Sequence, residues 1–157
     1  MRDESTRQAA QEFLAAKLTE EAQKLEDKLN QETAVARSLH VWKQFRDSIF
    51  SQCNEWNSVT QEETLTCKET PLGDLRIWCA ATSKHMTVHY DSRKLLVTIK
   101  NAGRHENETD VILRIEGYLN GSDRSAHLVR NDEPVNVSVL ILGELRLLSG
   151  IGRQRTA

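Results

Sequence analysis

The stretch VARSLHVWKQFRDSIFSQCNEWN, residues 35–57, decides the fold. Trp42, Phe45, Ile49, Cys53 and Trp56 recur in it at steps of three and four, with Val35 and Leu39 leading in, so these side chains project from one face of a helix. A stripe with three large aromatic anchors must be buried against something. The following chain supplies the partner, because from about Leu65 to Arg130 apolar residues alternate with polar ones, the period of half-buried strands. The expected fold class is therefore α+β: a long N-terminal helix or helical hairpin packed on an antiparallel meander of five or six strands, with a C-terminal helix.

The strands read as follows. Leu65 and Cys67 share a face of Thr64 to Glu69, and Thr70-Pro-Leu-Gly-Asp74 makes a turn. Leu75-Ile77-Cys79, Met86-Val88-Tyr90, Leu95-Val97-Ile99 and Val111-Leu113-Ile115 then form successive inner faces, and Ser125 to Arg130 follows the Asn120-Gly121 turn signal. A short connection, Tyr90 to Lys94, makes the second and third of these antiparallel neighbours. Between Val135 and Ser149 two patterns compete. Val135, Val137, Val139 and Ile141 alternate as in a strand, whereas Val137, Ile141, Leu145 and Leu148 share a helical stripe ending at Gly150, a C′ glycine; the helix is favoured.

Upstream of the aromatic stripe, Ser5 to Gln31 is rich in Ala, Glu, Gln, Lys and Leu, and no Gly or Pro occurs before residue 71. Leu18 and Leu25 stand seven apart, as do Ala15, Ala22, Leu29 and Ala36, which makes a short heptad seam with Ala at a and Leu at d. Leu18, Ala22, Leu25 and Leu29 are its candidate interaction residues. Thr33 either caps a second helix, giving a hairpin, or lies within one rod of about 50 residues and roughly 75 Å. The expected division is a helical extension over 1–32, an α+β domain over 33–150 and a frayed basic tail over 151–157.

Composition limits the function classes. Apolar residues make up 38% and charged residues 28% of the 157, and the net charge is −2 with signs interspersed, which gives no argument for a nucleic-acid partner. No apolar run approaches the roughly 20 residues of a membrane span, and the polar opening segment does not resemble a secretory signal. Cys53, Cys67 and Cys79 fit neither a CxxC pair nor a disulfide framework, so they are expected to be reduced in a cytoplasmic protein. The sequons at Asn107, Asn120 and Asn136 are then chance matches.

Candidate chemistry is sparse. His85 and His89 have HxxxH spacing, but on a strand they lie about 13 Å apart, too far to share a metal ion. No metal or cofactor is expected, and no catalytic residues are assigned. Arg114, Glu116, His127 and Asp110 could meet on the polar face of neighbouring strands, and Trp78 lies on that same face with His89. Trp78 and Leu96 could instead form a small second cluster. Two function classes follow: a non-enzymatic cytoplasmic interaction or adaptor module that self-associates or binds a protein partner through its N-terminal helix, and a small-molecule binding or enzymatic domain using Trp78, His89, Arg114, Glu116 and His127.

Overall fold

A computed structural model of the chain describes residues 2–151. One helix, α1 (Arg2–Thr60), leads into an antiparallel sheet, and a second, α2 (Val137–Leu148), is the last element among the described residues. The hairpin alternative is not formed. Thr33 starts no new helix, because its hydroxyl donates to the Leu29 carbonyl one turn back at 2.8 Å and the backbone runs through.

The sheet is a seven-stranded meander rather than one of five or six strands: β1 (Leu65–Glu69), β2 (Leu75–Cys79), β3 (Lys84–Asp91), β4 (Leu96–Asn101), β5 (Val111–Asn120), β6 (Asp123–Arg130) and β7 (Glu133–Pro134), paired in chain order. β7 is only a two-residue return across a tight turn in which Asn131 and Asp132 both have positive φ, the I′ geometry that matches strand twist. Pro134 suits an edge strand because it has no N–H to offer the ladder. Gly121, with φ 65°, opens the two-residue turn between β5 and β6, as the Asn-Gly signal predicts.

α1 lies diagonally over the apolar face. Near its middle it sits on β5 and β6, where Arg124 reaches Asn30 and Glu26; Trp42 stacks on Tyr90 of β3 at 5.5 Å; and at its end Asn57 exchanges two hydrogen bonds with the Leu65 backbone of β1. Phe45, Ile49, Ile77, Met86, Ile99, Leu113, Ile115 and Leu145 fill the space between. α2 covers the rest of that face, which settles the helix–strand competition. Asn136 caps it by accepting from Val139 N–H, and Gly150, φ 77°, follows Ser149 in a C-terminal motif in which Gly150 N–H donates to Leu147 and Ile151 N–H to Arg146. The β4–β5 loop is pinned beneath α2: Arg104 forms a two-pronged buried ion pair with Glu144, and Asn101 Nδ2 donates to the Glu144 carbonyl at 2.9 Å.

Two lead-in residues are placed otherwise than expected. Val35 and Leu39 are 58% and 54% exposed, and the stripe that meets the sheet there is Ala34, Ser38, Val41 and Trp42. The reason is helical phase: at 100° per residue Val35 stands about 100° around the axis from Ala34, and Leu39 about 100° from Ser38. Earlier in the helix, Gly117 comes so near that an added Cβ would stand 2.2 Å from the Asn30 carbonyl oxygen. Among the described residues no helix is long and apolar enough to cross a membrane. Of the tail expected over 151–157, residues 152–157 lie outside the described residues.

Candidate functional site

Two surfaces carry the candidate residues: the back of α1 and the outer face of the sheet. Every residue from Asp3 to Leu25 is exposed, so this part of α1 stands clear of the sheet. At 1.5 Å per residue that arm is about 35 Å long. It begins with Asp3 and Glu4, favourable at a helix N-terminus, and carries a Glu20–Lys24 pair one turn apart at 3.2 Å. Its last tie to the sheet is Arg124, whose Nη1 lies 2.8 Å from Asn30 Oδ1 and whose Nη2 lies 2.7 Å from Glu26 Oε2. That hydrogen-bonded guanidinium holds the Glu26 carboxyl below its usual range.

The predicted seam lies on this helix. Leu18, Ala22 and Leu25 are exposed and Leu29 half-buried. At 100° per residue they share one stripe with Ala15, Ala36 and Leu39, roughly 180° around the axis from the residues that meet the sheet. Leu39, expected in the core, thus prolongs the seam by a heptad. Leu14 and Val35 flank it, both exposed; Phe13, 71% exposed, lies off it. Polar Glu32 occupies the remaining d position.

The outer face carries the other candidates, but they do not form one site. Glu116 on β5 stands directly opposite His127 on β6; Arg114 Nη1 lies 3.7 Å from Glu116 Oε1; and the Tyr118 ring stacks on His127 with centroids 4.2 Å apart. Burial under that ring holds His127 below the ordinary histidine range, with the Glu116 charge acting in the opposite sense. Arg114 is two-thirds exposed, so the trio is an open surface cluster beside a shallow depression lined by Leu96, Ile112 and Val129. Asp110 precedes β5 and lies about 20 Å along the strand from Glu116, too far to join it.

Trp78 and His89 lie elsewhere on that face. Trp78 faces Thr66 and His85 across the strands, and His89 Nδ1 lies 2.5 Å from Asp74 Oδ1. The Trp78–Leu96 cluster is not made: Trp78 pairs beside His85 and Leu96 beside Asp91, at opposite ends of β3, about 20 Å apart. Among the described residues no three His, Cys, Asp or Glu side chains are grouped to hold a metal ion. The cysteines are free thiols; Cys67 is raised well above the ordinary thiol range by its hydrogen bond with Cys53 and by burial.

Strand pairing brings together a feature the linear sequence disperses. Lys68, Arg76, Thr87 and Lys100 lie in one cross-strand row on the outer face of β1 to β4. The row spans roughly 14 Å at strand spacing. Its three cations have no ion-pair partner among the described residues, and Trp78, 41% exposed, stands one step away on Arg76's side of the strand. No signal in the sequence could have found it, because the residues come from four strands and meet only once the register is set. Comparison of the chain with protein-family models, with curated proteins and with solved structures finds no match.

Proposed function

We propose that this protein is a non-enzymatic interaction module that self-associates through the seam on the back of α1. The observation that carries the proposal is the stripe of Leu18, Ala22, Leu25, Ala36 and Leu39, exposed on α1 with half-buried Leu29 among them and Glu32 as its one polar d position, while from Ala34 onward the opposite side of the same helix is buried on the sheet. Water gives no reason to repeat leucine every seven residues, and burial against a second helix does. The three free thiols accord with a reducing, cytoplasmic setting. The test is absolute mass by light scattering on the full chain and on Leu18→Glu/Leu25→Glu. Both leucines are exposed, so the exchange leaves the core intact. A dimer that the double substitution dissociates is the expected result; a full chain that stays monomeric at about 100 μM ends the proposal.

A second reading is favoured by the cation row. With Trp78 two residues along β2 from Arg76, and Lys68 and Lys100 in the same cross-strand row as Arg76, the outer face of β1 to β4 has the makings of a site for a small anionic ligand, charge holding the anion and the indole stacking on a planar group. Trp78 fluorescence titrated with inorganic pyrophosphate and a nucleoside triphosphate tests it. A salt-sensitive quench abolished by Arg76→Ala supports a site, and no change up to millimolar concentrations removes it.

A further inference from the structure

We infer that two copies of α1 pair antiparallel, centred between Gln23 and Lys24; this rests on the self-association proposed above and names its geometry. In the heptad frame Ala15, Ala22, Leu29 and Ala36 are a positions, Leu18, Leu25, Glu32 and Leu39 are d, and Leu14, Glu21, Lys28 and Val35 are the flanking g positions. A parallel pair sets like positions against each other. Glu32 would face Glu32 of the second copy at a buried d layer, and Glu21 would face Glu26 across the flank, so each contact opposes like charges.

An antiparallel pair sets a against d instead. Centred between Gln23 and Lys24, it packs Ala22 on Leu25 and Leu18 on Leu29 of the other copy, each twice by symmetry. The flanks then match as well: Glu21 meets Lys28, and Leu14 meets Val35. Glu32 faces only Ala15, a small residue that leaves its carboxylate a way to water. Glu21 and Lys28 are both exposed and neither forms an ion pair with another described residue of its own chain, which leaves both available to pair across the interface. Sliding the register by one heptad destroys the match. One way sets Lys28 on Lys28 and Glu26 on Glu26; the other sets Glu21 on Glu21 and Glu12 on Glu26.

Sedimentation equilibrium of the full chain with Glu21→Lys, with Lys28→Glu and with an equimolar mixture of the two tests orientation apart from association. In the antiparallel pair each single variant opposes like charges twice and raises the dimer dissociation constant about tenfold, whereas the mixed dimer restores two opposite-charge contacts and wild-type affinity. Both single effects together with the rescue establish the inference. In a parallel pair Glu21→Lys would meet Glu26 and tighten the dimer; that result, or a wild-type dimer indifferent to both substitutions, overturns the antiparallel register and leaves self-association standing. A monomeric wild-type chain overturns both.

Discussion

Replacing Gly117 by alanine tests how α1 is held on the sheet. The added Cβ would stand 2.2 Å from the Asn30 carbonyl oxygen, 2.9 Å from its carbon and 3.0 Å from its Cα, all backbone atoms that no rotamer change can move. Ordinary carbon–oxygen contact begins near about 3.3 Å, so the helix must retreat by roughly 1 Å at this point. Arg124 resists that movement, since its bonds to Asn30 and Glu26 at 2.8 and 2.7 Å would be stretched beyond useful length. Forcing extra volume into a tight contact costs about 1–3 kcal/mol, and the rigid surroundings here place Gly117→Ala toward the upper end. The sign is informative, because where the backbone has room, glycine to alanine stabilises by about 0.4–1 kcal/mol through the unfolded chain. The assay is urea unfolding, where a loss of ~2 kcal/mol lowers the midpoint by about 1 M for a slope near 2 kcal/mol/M. Hydrogen exchange should accelerate most over residues 26–34. A variant as stable as the parent would refute the close approach.

Other substitutions probe the remaining ties. Glu144→Ala strands the buried Arg104 guanidinium, which already has an unpartnered Nε, and should cost about 3–5 kcal/mol in denaturant unfolding, while Arg104→Met with Glu144→Leu should cost much less. Asn57→Ala removes both bonds to the Leu65 backbone, at 2.7 and 2.9 Å, and should lower stability by about 1–3 kcal/mol, with early exchange of the β1 amides. His127 has a depressed folded pKa, so the folded protein takes up its proton less readily than the unfolded chain. Its contribution is complete above the ordinary histidine pKa of about 6.5 and is lost as pH falls below it; His127→Gln should flatten that part of the stability–pH curve.

Much of this architecture was legible because burial of large side chains leaves a periodic trace. Trp42, Phe45, Ile49 and Cys53 on the helix, and Leu75, Ile77, Val88, Val97 and Leu113 on the strands, are all buried as their spacing implies. The trace fails where contact is made by small or polar residues. Ala34 and Ser38 meet the sheet without any hydrophobic signal, and the neighbouring Val35 and Leu39 fit a helical period almost as well, so the sequence pattern drew them into the wrong stripe. Thr33 is ambiguous for a similar reason, since its hydroxyl can cap a new helix or bond back into an old one. The two-residue β7 is too short for alternation to mark. On the candidate site, the shared helix face of Leu18, Ala22, Leu25 and Leu29 was legible because all four lie within one helix. The division of Trp78 and His89 from the Arg114–Glu116–His127 cluster depends on strand register, which single-sequence periodicity does not supply.

The opposed faces of α1 connect the two functional readings. Because the seam lies about half a turn around the axis from the sheet-facing stripe, an antiparallel pair would put two helices at the centre with one sheet on either side. The apolar face of each sheet is already occupied by its own helix, so both outer faces would remain in water, directed away from each other. Each carries one copy of the Lys68–Arg76–Lys100 row and Trp78. If each row takes an anionic group, the dimer presents two sites at opposite ends of one assembly. Two sites facing apart cannot both grip adjacent groups of a short ligand, so a small soluble anion that fills one site at a time would bind the dimer and a dissociated Leu18→Glu/Leu25→Glu chain with equal affinity. A surface or polymer large enough to reach both sites would bind the dimer more tightly through effective concentration. Comparing the two proteins on an immobilised anionic polymer and on free pyrophosphate therefore measures whether association serves the outer face or acts independently of it.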